Sequence, residues 1–346
     1  MIRKIQIVKE TRNGEKRVAL VPDDVRILIE QGYQVFLEAN AGQGAGFEDA
    51  LYKNVGAEIV DCNSLQFTDH TLIVRVKRGT REREQWELNK FNQNTIMIGF
   101  LDPLKEERDH INEWCQAGIT TFSLEMVDLP NDDKRNASAA MSRLAGAIAF
   151  TNATTKYNLK DRPAVFVLGT GAAALSAAED AVKKGYVVTI FGRKELYRQA
   201  VESLGAHYNL LPNNNEAQIK WIRPYLRHPS IVIAAARRIG ERCPILIDSE
   251  SLTEAFPGSV YVDLCGQGGN IEGSQYDHDV IRGNNILITN DTGYPKSQPV
   301  LASILYSQCL REFIIDIVSQ GITIQNPILS KCYVTCKHKL NPFLYF

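Results

Sequence analysis

One stretch of the chain, VLGTGAAALSAAEDAVKKGYVVTIFGRKE at residues 167–195, restricts the possible folds more than any other. A short apolar strand ends in a turn with Gly169 and Gly171, an alanine-rich helix follows, and a second apolar strand comes at the distance expected of a βαβ unit. In such units the first glycine permits a sharp turn, the second lets the backbone approach a diphosphate, and helix amides meet the phosphate charge. Glycine turns also join strands to helices for purely steric reasons, but the flanking strands and helix favour a dinucleotide site.

The end of the second strand distinguishes between two cofactors. Where a βαβ unit binds NAD, an acid at this point accepts the ribose 2′-hydroxyl. An acid would repel a 2′-phosphate, whereas Gly192 leaves space and the two cations that follow it offer charge-assisted hydrogen bonds. The sequence therefore favours NADP(H), with NAD(H) and a merely solvated basic pair as the alternatives. The predicted cofactor contacts in this stretch are Gly169, Thr170, Gly171, Ala172, Ala173, Gly192, Arg193 and Lys194.

Composition and charge favour small-molecule ligands. The chain has 346 residues, enough for two domains, with 44% hydrophobic and 23% charged residues. A formal net charge of -1 gives no electrostatic reason to expect nucleic acid or an anionic membrane as a partner. No apolar run approaches the roughly 18 to 20 residues of a membrane helix, and charge interrupts the first residues before any signal-peptide core forms. We therefore predict a cytoplasmic protein without direct membrane insertion.

The seven cysteines predict reduced thiols, because their number is odd and their positions are scattered. Cys332, Cys336 and His338 are close in the sequence, but a fourth ligand and the usual zinc spacing are missing. We therefore predict no metal site. The residues after Lys331 show no periodicity that indicates a helix or a strand.

The order of apolar strands and helical patterns predicts two α/β lobes. In the first part of the chain, short apolar strands alternate with helices, a pattern that builds a parallel sheet covered by helices. Residues 136–156 predict a long connecting helix, and residues 298–321 predict a second one that ends at Gly321. Five apolar strands between these helices predict a second doubly wound sheet. We expect two Rossmann-like lobes joined by the two long helices, with residues 136–299 as a nucleotide-binding lobe inserted in a lobe of residues 1–135 and 300–346.

Seven segments stand out along nearly the whole chain, in the order KETRNGEKRVALVPDDV, VRVK, LDPL, MSRLAG, GTGAAAL, VDLCGQGGNIEGS and YPKSQPVLASILYS. In this order they resemble the family of alanine dehydrogenase and nicotinamide nucleotide transhydrogenase alpha subunits. The resemblance implies an NAD(P)-dependent oxidoreductase with two Rossmann-like lobes, the nucleotide lobe inserted in the other. This agrees with the lobes predicted from the pattern alone.

The resemblance implies three residues that act on the substrate. In alanine dehydrogenase, an arginine in the RVAL segment and a lysine in the KVK segment bind the substrate carboxylate and its carbonyl, and these positions are Arg17 and Lys77. A guanidinium matches a carboxylate with two parallel hydrogen bonds, and a buried ammonium polarises a carbonyl or imine that awaits hydride. The alternatives are a surface arginine at position 17 and a solvated basic cluster of Lys77 with Arg75 and Arg78. Asp102 replaces the family's catalytic histidine and is the candidate for proton exchange, provided that burial keeps its carboxyl protonated.

The resemblance also implies contacts on the nicotinamide side of the cofactor. Relatives usually place an apolar segment ending in Pro-Gly near the nicotinamide, and this chain has AAARRIG there, with Arg237 and Arg238 as candidates for an anion or as solvated residues. Asp263 ends a strand, where it either holds ribose or substrate or stabilises a turn. The predicted contacts in this region are Ala235, Asp263 and Gln267.

Neither branch of the family is matched in full. The dehydrogenase's catalytic aspartate before QGG has no counterpart, since VDLCGQGGN is one residue shorter there. The transhydrogenase branch has sequences like LDPL, but Asp133 and Asn136 stand where that branch has glutamine and aspartate, and Gly192 replaces its NAD-binding acid.

Three functions remain as hypotheses. The leading one is hydride transfer between NADP(H) and a small carboxylate-bearing carbonyl, imine or amino acid, with Lys77 and Asp102 as catalytic residues. The second is the soluble nucleotide-binding alpha subunit of a proton-translocating transhydrogenase, which would need separate membrane chains. The third is a nucleotide sensor without turnover. The small residues of 136–156 suggest a homodimer or higher homo-oligomer, with a core interface between the lobes as the alternative.

Overall fold

The computed structural model describes residues 3–65, 67, 71–104, 108–237, 242–265, 269–291, 293–319, 321 and 324–344. The chain divides into two compact units, Met1–Met141 with Lys296–Phe346 and Ser142–Pro295. We call them the first and the second unit. The domain boundaries predicted above, at 135/136 and 299/300, stay predictions.

The first part of the chain alternates strands with helices, as the pattern predicted. Its elements are β1 (Lys4–Ile7), α1 (Pro22–Glu30), β2 (Gln34–Glu38), α2 (Asp49–Asn54), β3 (Glu58–Val60), β4 (Thr71–Lys77), α3 (Arg81–Leu88), β5 (Ile96–Phe100), α4 (Asp109–Gln116), β6 (Thr120–Ser123) and α5 (Ala137–Lys156).

The second unit repeats this order. Its elements after α5 are β7 (Ala164–Leu168), α6 (Ala172–Lys183), β8 (Val188–Gly192), α7 (Arg198–Ser203), β9 (His207–Leu210), α8 (Asn215–Ile222), β10 (Ser230–Ala234), α9 (Ser249–Glu254), β11 (Val260–Asp263), β12 (Asp279–Arg282) and β13 (Ile286–Thr289). The chain then returns to the first unit with α10 (Pro299–Phe313), α11 (Leu329–Cys332), β14 (Tyr333–Cys336) and β15 (Lys339–Leu340).

The sheet of the first unit has the order β15-β14-β6-β5-β4-β1-β2-β3 within the described residues. Strands β1 to β6 pair in parallel, and β14 and β15 add antiparallel pairs at one edge. After β1 the chain proceeds to β2 and β3 on one side, and β4 to β6 build the other side. The strand order therefore reverses between β1 and β4, where ligands bind at the carboxyl ends of open α/β sheets.

The sheet of the second unit has the order β12-β13-β11-β10-β7-β8-β9 in the part of the chain that the structure describes. All pairs are parallel except β12 with β13. Its strand order reverses between β7 and β10. These two parallel-dominated sheets with flanking helices confirm the predicted α/β class with Rossmann-like lobes. The sequence prediction missed β9, β12, β14 and β15.

Local signals in the sequence set the start and end of α1. Pro22 occupies the first turn, where its missing N–H costs nothing, and Asp23 and Asp24 place negative charge at the positive end of the helix dipole. Gln31 caps the end of the helix, and Gly32 follows with a φ of 89°. These local signals account for the bounds of α1.

Helix α10 positions the segment that contains RVAL. The N–H of Val18 donates to Ser303 Oγ at 3.0 Å, and the N–H of Val21 donates to Ser307 Oγ at 2.9 Å. Within the described residues, no helix combines the length and the apolar character needed to cross a bilayer.

Candidate functional site

The turn after β7 has the backbone that a diphosphate-binding loop requires. Gly169 has a φ of 117°, and a Cβ there would lie 2.8 Å from the carbonyl oxygen of Ala235, so only glycine fits without displacing the backbone. Gly171 has a φ of -78°, and a Cβ there would meet nothing within 4 Å. The first glycine is therefore fixed by the fold, whereas the second faces open space.

Helix α6 presents its amino end to this open space. Gly171 is its N-cap, and no side chain hydrogen-bonds to the helix start among the described residues. The first-turn amides, including those of Ala172 and Ala173, have no partners within the helix and suit an anion. Gly146 of α5 brings the two helices close together, since a Cβ there would lie 2.0 Å from the carbonyl oxygen of Ala173.

The end of β8 differs from the prediction that Gly192 leaves space. A Cβ at Gly192 would lie 2.4 Å from the hydroxyl oxygen of Tyr208 and 2.7 Å from Cγ2 of Thr170, so these two side chains fill the space. The Tyr208 hydroxyl donates to the carbonyl oxygen of Lys194 at 2.6 Å. Glycine is required here because β9 places a phenol against the strand end, a contact that no local pattern shows.

The two cations after Gly192 are exposed. Among the described residues, no side-chain hydrogen bond or ion pair is formed by Arg193 or Lys194, whereas nearby Arg198 is engaged by Glu195 and Glu202. Both cations are therefore free to bind an anionic ligand in this unit.

The region after β10 and β11 is held together by buried polar groups. Ala235 donates its N–H to Leu168 at 2.9 Å. The carboxylate of Asp263 is fully buried and accepts the N–H groups of Cys265 at 3.1 Å and Ile271 at 3.0 Å. Burial raises the pKa of Asp263, although these hydrogen bonds oppose that effect. The contacts favour the turn role of Asp263 over contact with ribose. Arg238 and Gln267 lie outside the described residues.

In the first unit, Lys77 and Asp102 meet at the carboxyl ends of β4 and β5. The ammonium of Lys77 lies 3.3 Å from Asp102 Oδ1, and Arg12, which follows β1, donates to Asp102 Oδ2 at 2.8 Å. The side chains of Lys77 and Arg12 are each 25% exposed, and that of Asp102 is 5% exposed. Arg78 Nε lies 3.9 Å from Asp102 Oδ2, so three cations surround this carboxyl group, and the condition that Asp102 is protonated stays a prediction.

The backbone of Asp102 is strained. Its φ of 55° lies in the left-handed region that side chains other than glycine rarely adopt. The carboxylate of Glu125 holds this turn by accepting the N–H groups of Leu101 at 2.9 Å and Asp102 at 2.7 Å. Such strain costs about 1 to 3 kcal/mol and concentrates at functional sites.

Glu10 fixes the end of β4 from the neighbouring β1. Its carboxylate accepts the N–H groups of Val76 at 2.6 Å and Lys77 at 3.0 Å. Burial raises the pKa of Glu10 to about 7, although the nearby charge of Arg75 opposes the shift. Glu10 thus sets the position of the backbone that carries the Lys77 ammonium.

Arg17 is buried rather than exposed, which overturns the alternative of a surface arginine. Its side chain is 4% exposed, and Glu15 binds its guanidinium with two hydrogen bonds, of 2.7 Å from Nε and 2.5 Å from Nη2. A substrate carboxylate at Arg17 would have to displace Glu15 or share the guanidinium with it.

The basic cluster predicted around Lys77 is divided. Arg75 is 1% exposed and forms a bidentate pair with Glu87, at 2.7 and 2.9 Å. Arg78 pairs with Glu84 at 3.2 Å and lies 3.9 Å from Asp102, the partner of Lys77, with its side chain 16% exposed. Lys77 therefore does not belong to a solvated cluster of three cations.

Two further residues with predicted or aligned roles act on local structure. Asp133 pairs with Arg135, whose hydrogen bonds lower the pKa of Asp133 to about 2. Asn136 is 4% exposed and accepts the N–H of Ala139 at the start of α5.

At the tail, Cys332 is fully buried, and no group of three metal-binding side chains is found among the described residues.

Several residues of these sites escaped the sequence prediction. Glu10 and Arg12 stand in the charged loop after β1, and only the strand order β4-β1 brings them to Lys77. Glu125 lies in the turn after β6 and Tyr208 lies in β9, each far in the sequence from the residues that it contacts. The one signal that pointed to the first two is their position just after a buried strand, at a carboxyl end of the sheet.

Two family models match the chain: the Alanine dehydrogenase/PNT, N-terminal domain over residues 6–146 and the Alanine dehydrogenase/PNT, C-terminal domain over residues 137–342. The chain belongs to the alanine dehydrogenase/PNT family. This confirms the resemblance seen in the sequence. Alanine dehydrogenases and NAD(P) transhydrogenases are oxidoreductases, and the cofactor of these relatives is NAD(P).

Similar proteins come from both branches of the alanine dehydrogenase/PNT family. The chain is 27% identical to NAD(P) transhydrogenase subunit alpha of Cereibacter sphaeroides over 91% of its own length, and it spans 65% of that subunit. It is 26% identical to alanine dehydrogenase of Mycobacterium tuberculosis, over 95% of this chain and 92% of that protein. The crystal structure of transhydrogenase from Sinorhizobium meliloti has a TM-score of 0.86 and 26% identity, over 97% of this chain and 99% of that chain.

Proposed function

We propose that this chain is an oxidoreductase of the alanine dehydrogenase/PNT family that prefers NADP(H) and transfers hydride to or from a small carboxylate-bearing carbonyl, imine or amino acid. The observation that carries the cofactor preference is the exposed pair Arg193 and Lys194, both without side-chain partners among the described residues, at the strand end where an NAD site has an acid. A 2′-phosphate binds such cations with charge-assisted hydrogen bonds.

The fit of a dinucleotide is supported by the turn after β7. Gly171 leaves the space that a side chain would fill, and the uncapped start of α6 offers amides to a diphosphate. When bound, the nicotinamide ring supplies the hydride chemistry. Thr170 and Gly192 line the same strand ends, and Ala235 supports Gly169 from β10.

The substrate side of the proposal depends on the charges around Asp102. The Lys77 ammonium polarises a carbonyl or imine, and Asp102, in contact with Lys77 and Arg12, exchanges a proton with the substrate. Arg17 remains a candidate carboxylate ligand through exchange with Glu15. We add Arg12, which is more accessible than Arg17, as a second candidate.

A second candidate function is the alpha subunit of an NAD(P) transhydrogenase. The similarity to the Sinorhizobium meliloti transhydrogenase and the absence of the dehydrogenase's histidine at position 102 favour it. In that case separate membrane chains would be required to couple hydride transfer to proton translocation. A homodimer or higher homo-oligomer also stays a prediction, which light scattering in solution would test.

Cofactor binding and turnover test the leading proposal together. Calorimetry with NADPH and NADH should show tighter binding of NADPH, and Arg193→Ala should weaken NADPH by about 1.5 to 3 kcal/mol, the range of a hydrogen bond to a charged group, while leaving NADH unchanged. Lys183→Ala is the matched control, since it removes an exposed cation at the other end of α6. In a screen of oxo and amino acids, Lys77→Ala should lower turnover by about two orders of magnitude.

Two outcomes would contradict the proposal. Equal affinity for both cofactors, unchanged in Arg193→Ala, would remove the NADP(H) preference. Turnover that survives Lys77→Ala would remove the assignment of the catalytic lysine, and tight binding without any turnover would favour a nucleotide sensor.

A further inference from the structure

Two cysteine side chains meet in the second unit, and the proposed function uses neither. Cys243 lies on the chain between β10 and α9, and Cys265 lies two residues after β11. The thiol of Cys243 donates to the carbonyl oxygen of Cys265 at 3.3 Å, which places its sulfur beside that residue. Both residues are free thiols in this structure.

The two thiols have unequal acidity. The neighbouring Cys265 side chain, together with the charge of Arg237, lowers the pKa of Cys243, against the effects of burial and of Asp263. The neighbouring Cys243 side chain and burial raise the pKa of Cys265, whose thiol donates to Asn270 Oδ1. A thiolate is the attacking species in cysteine chemistry. Cys243 is therefore the reactive thiol, and Cys265 is the candidate resolving thiol.

Two other partly exposed cysteines, Cys62 and Cys115, lack this environment. Burial raises the pKa of both Cys62 and Cys115, which lie in the first unit. Neither has a second thiol among its described hydrogen-bond partners. The pair of Cys243 and Cys265 thus combines two neighbouring cysteine residues with one thiol of lowered pKa.

A buried asparagine connects this pair to the nucleotide turn. Cys265 Sγ lies 2.9 Å from Asn270 Oδ1, and that oxygen also accepts the N–H of Ala236 at 2.8 Å. The Asn270 amide donates to the carbonyl oxygens of Ala236 at 3.0 Å and Pro244 at 2.8 Å. Ala236 directly follows Ala235, whose carbonyl oxygen is in contact distance of Gly169. A change at the Cys265 sulfur therefore reaches the dinucleotide turn through one side chain.

We propose that Cys243 and Cys265 form a reversible disulfide that acts as a redox switch on the dinucleotide turn. With hydrogen peroxide as the oxidant, the Cys243 thiolate attacks one peroxide oxygen, the O–O bond breaks, and Cys243 becomes a sulfenic acid as the first water leaves. The Cys265 sulfur then attacks the Cys243 sulfur, the S–S bond forms, and the S–O bond breaks with loss of a second water. A dithiol reverses the reaction by exchange. The disulfide withdraws the Cys265 sulfur from Asn270.

Peptide mapping without reduction tests the switch. After treatment of the full chain with one equivalent of hydrogen peroxide, we expect a cross-linked peptide pair that contains Cys243 and Cys265 and that dithiothreitol separates. In Cys265→Ser, Cys243 should stop at the sulfenic acid and react with dimedone, whereas Cys243→Ser should form neither product. Alkylation by iodoacetamide should proceed at a lower pH for Cys243 than for Cys115, because the pKa of Cys243 is lowered and that of Cys115 is raised.

The coupling to the turn is measured separately, by calorimetry with NADPH. Oxidised wild type should bind on the order of tenfold more weakly than reduced wild type, a typical coupling between two sites, and dithiothreitol should restore the affinity. Cys115→Ser is the matched control and should behave as wild type. Oxidation that yields sulfinic acid at Cys243 without a cross-link, or that modifies Cys115 first, would overturn the disulfide. A cross-link without a change in binding would overturn the switch.

Discussion

The two glycines of the nucleotide turn perform different tasks, which two single substitutions separate. Gly169→Ala should lower the free energy of unfolding by about 1 to 3 kcal/mol, because its φ of 117° and the contact with Ala235 admit no Cβ. Gly171→Ala should leave stability within about 0.5 kcal/mol of wild type, since its φ is ordinary and its Cβ would lie in open space.

For NADPH binding, unlike stability, Gly171→Ala is the variant that should show the clear loss. In Gly171→Ala the new methyl group would occupy the proposed approach of the diphosphate, so affinity for NADPH should fall while the fold persists. Urea denaturation and calorimetry on the same samples make the comparison. Wild-type affinity in Gly171→Ala would place the diphosphate elsewhere.

The raised pKa of Glu10 predicts that the stability of the fold depends on pH. Its pKa is raised from 4.5 to about 7 in the folded protein, so between these values the folded state binds a proton that the unfolded state has lost. The free energy of unfolding should therefore fall as the pH rises from 4.5 to 7, by at most about 3 kcal/mol, since one pKa unit corresponds to about 1.4 kcal/mol. Glu10→Gln should flatten this decline in urea denaturation at several pH values, whereas Glu58→Gln, an exposed residue of β3, should not.

At the scale of elements, the close approach of α5 and α6 determines where the helix amides point. A Cβ at Gly146 would lie 2.0 Å from the carbonyl oxygen of Ala173 and 3.0 Å from its Cα, so Gly146→Ala must push the start of α6 away. We expect a loss of about 1 to 3 kcal/mol in stability from this overpacking, together with weaker NADPH binding.

The control for this prediction is an alanine substitution on an exposed face of the same helix. Thr155→Ala removes an exposed hydroxyl of α5 that donates to Asn152 of the same helix, and it should change neither quantity by more than about 0.5 kcal/mol. If Gly146→Ala matched this control in both thermal unfolding and calorimetry, the two helices could not lie as close as this structure has them.

Elements with a strong local signal were predicted well. The long helix over 136–156 corresponds to α5, and the apolar runs near 164–168, 188–192 and 230–234 correspond to β7, β8 and β10. The second long helix, predicted over 298–321, is α-helical only over Pro299–Phe313 and continues as a π-helical turn over Ile314–Val318. The short strands β9 and β12 carry polar residues such as His207 and Asp279, so hydrophobic periodicity did not indicate them.

At the scale of the whole molecule, the last residues of the chain complete the sheet of the first unit. Strand β14 pairs antiparallel with β6, Thr335 Oγ1 donates to Ile119 at 2.8 Å, and Val334 packs with Ile111 and Leu344. Deletion of residues 331–346 should expose the edge of β6 and cost about 3 to 6 kcal/mol for the two buried apolar side chains Val334 and Leu344.

Hydrogen exchange of the β6 peptide measures this loss directly. The control is Lys331→Ala, which removes an exposed ion pair with Asp128 and should have almost no effect. Unchanged protection of β6 in the deleted chain would show that the tail contributes little to this edge.

The sequence by itself determined the parts that depend on short-range order. The βαβ spacing around Gly169, the helix start at Pro22 and the alternation of strands with helices each follow from a few neighbouring residues, because turn sterics and hydrophobic periodicity act locally. The order of the family segments further indicated Lys77 and Asp102 as candidate catalytic residues.

Tertiary structure decided what depends on residues far apart in the chain. It paired Arg17 with Glu15 in a buried position, set Glu10 and Arg12 beside Lys77 through the pairing of β1 with β4, and filled the space at Gly192 with Tyr208. The reason is physical: burial and charge pairing arise only when strands with unrelated local sequences pack side by side, and no local pattern encodes which strands those are.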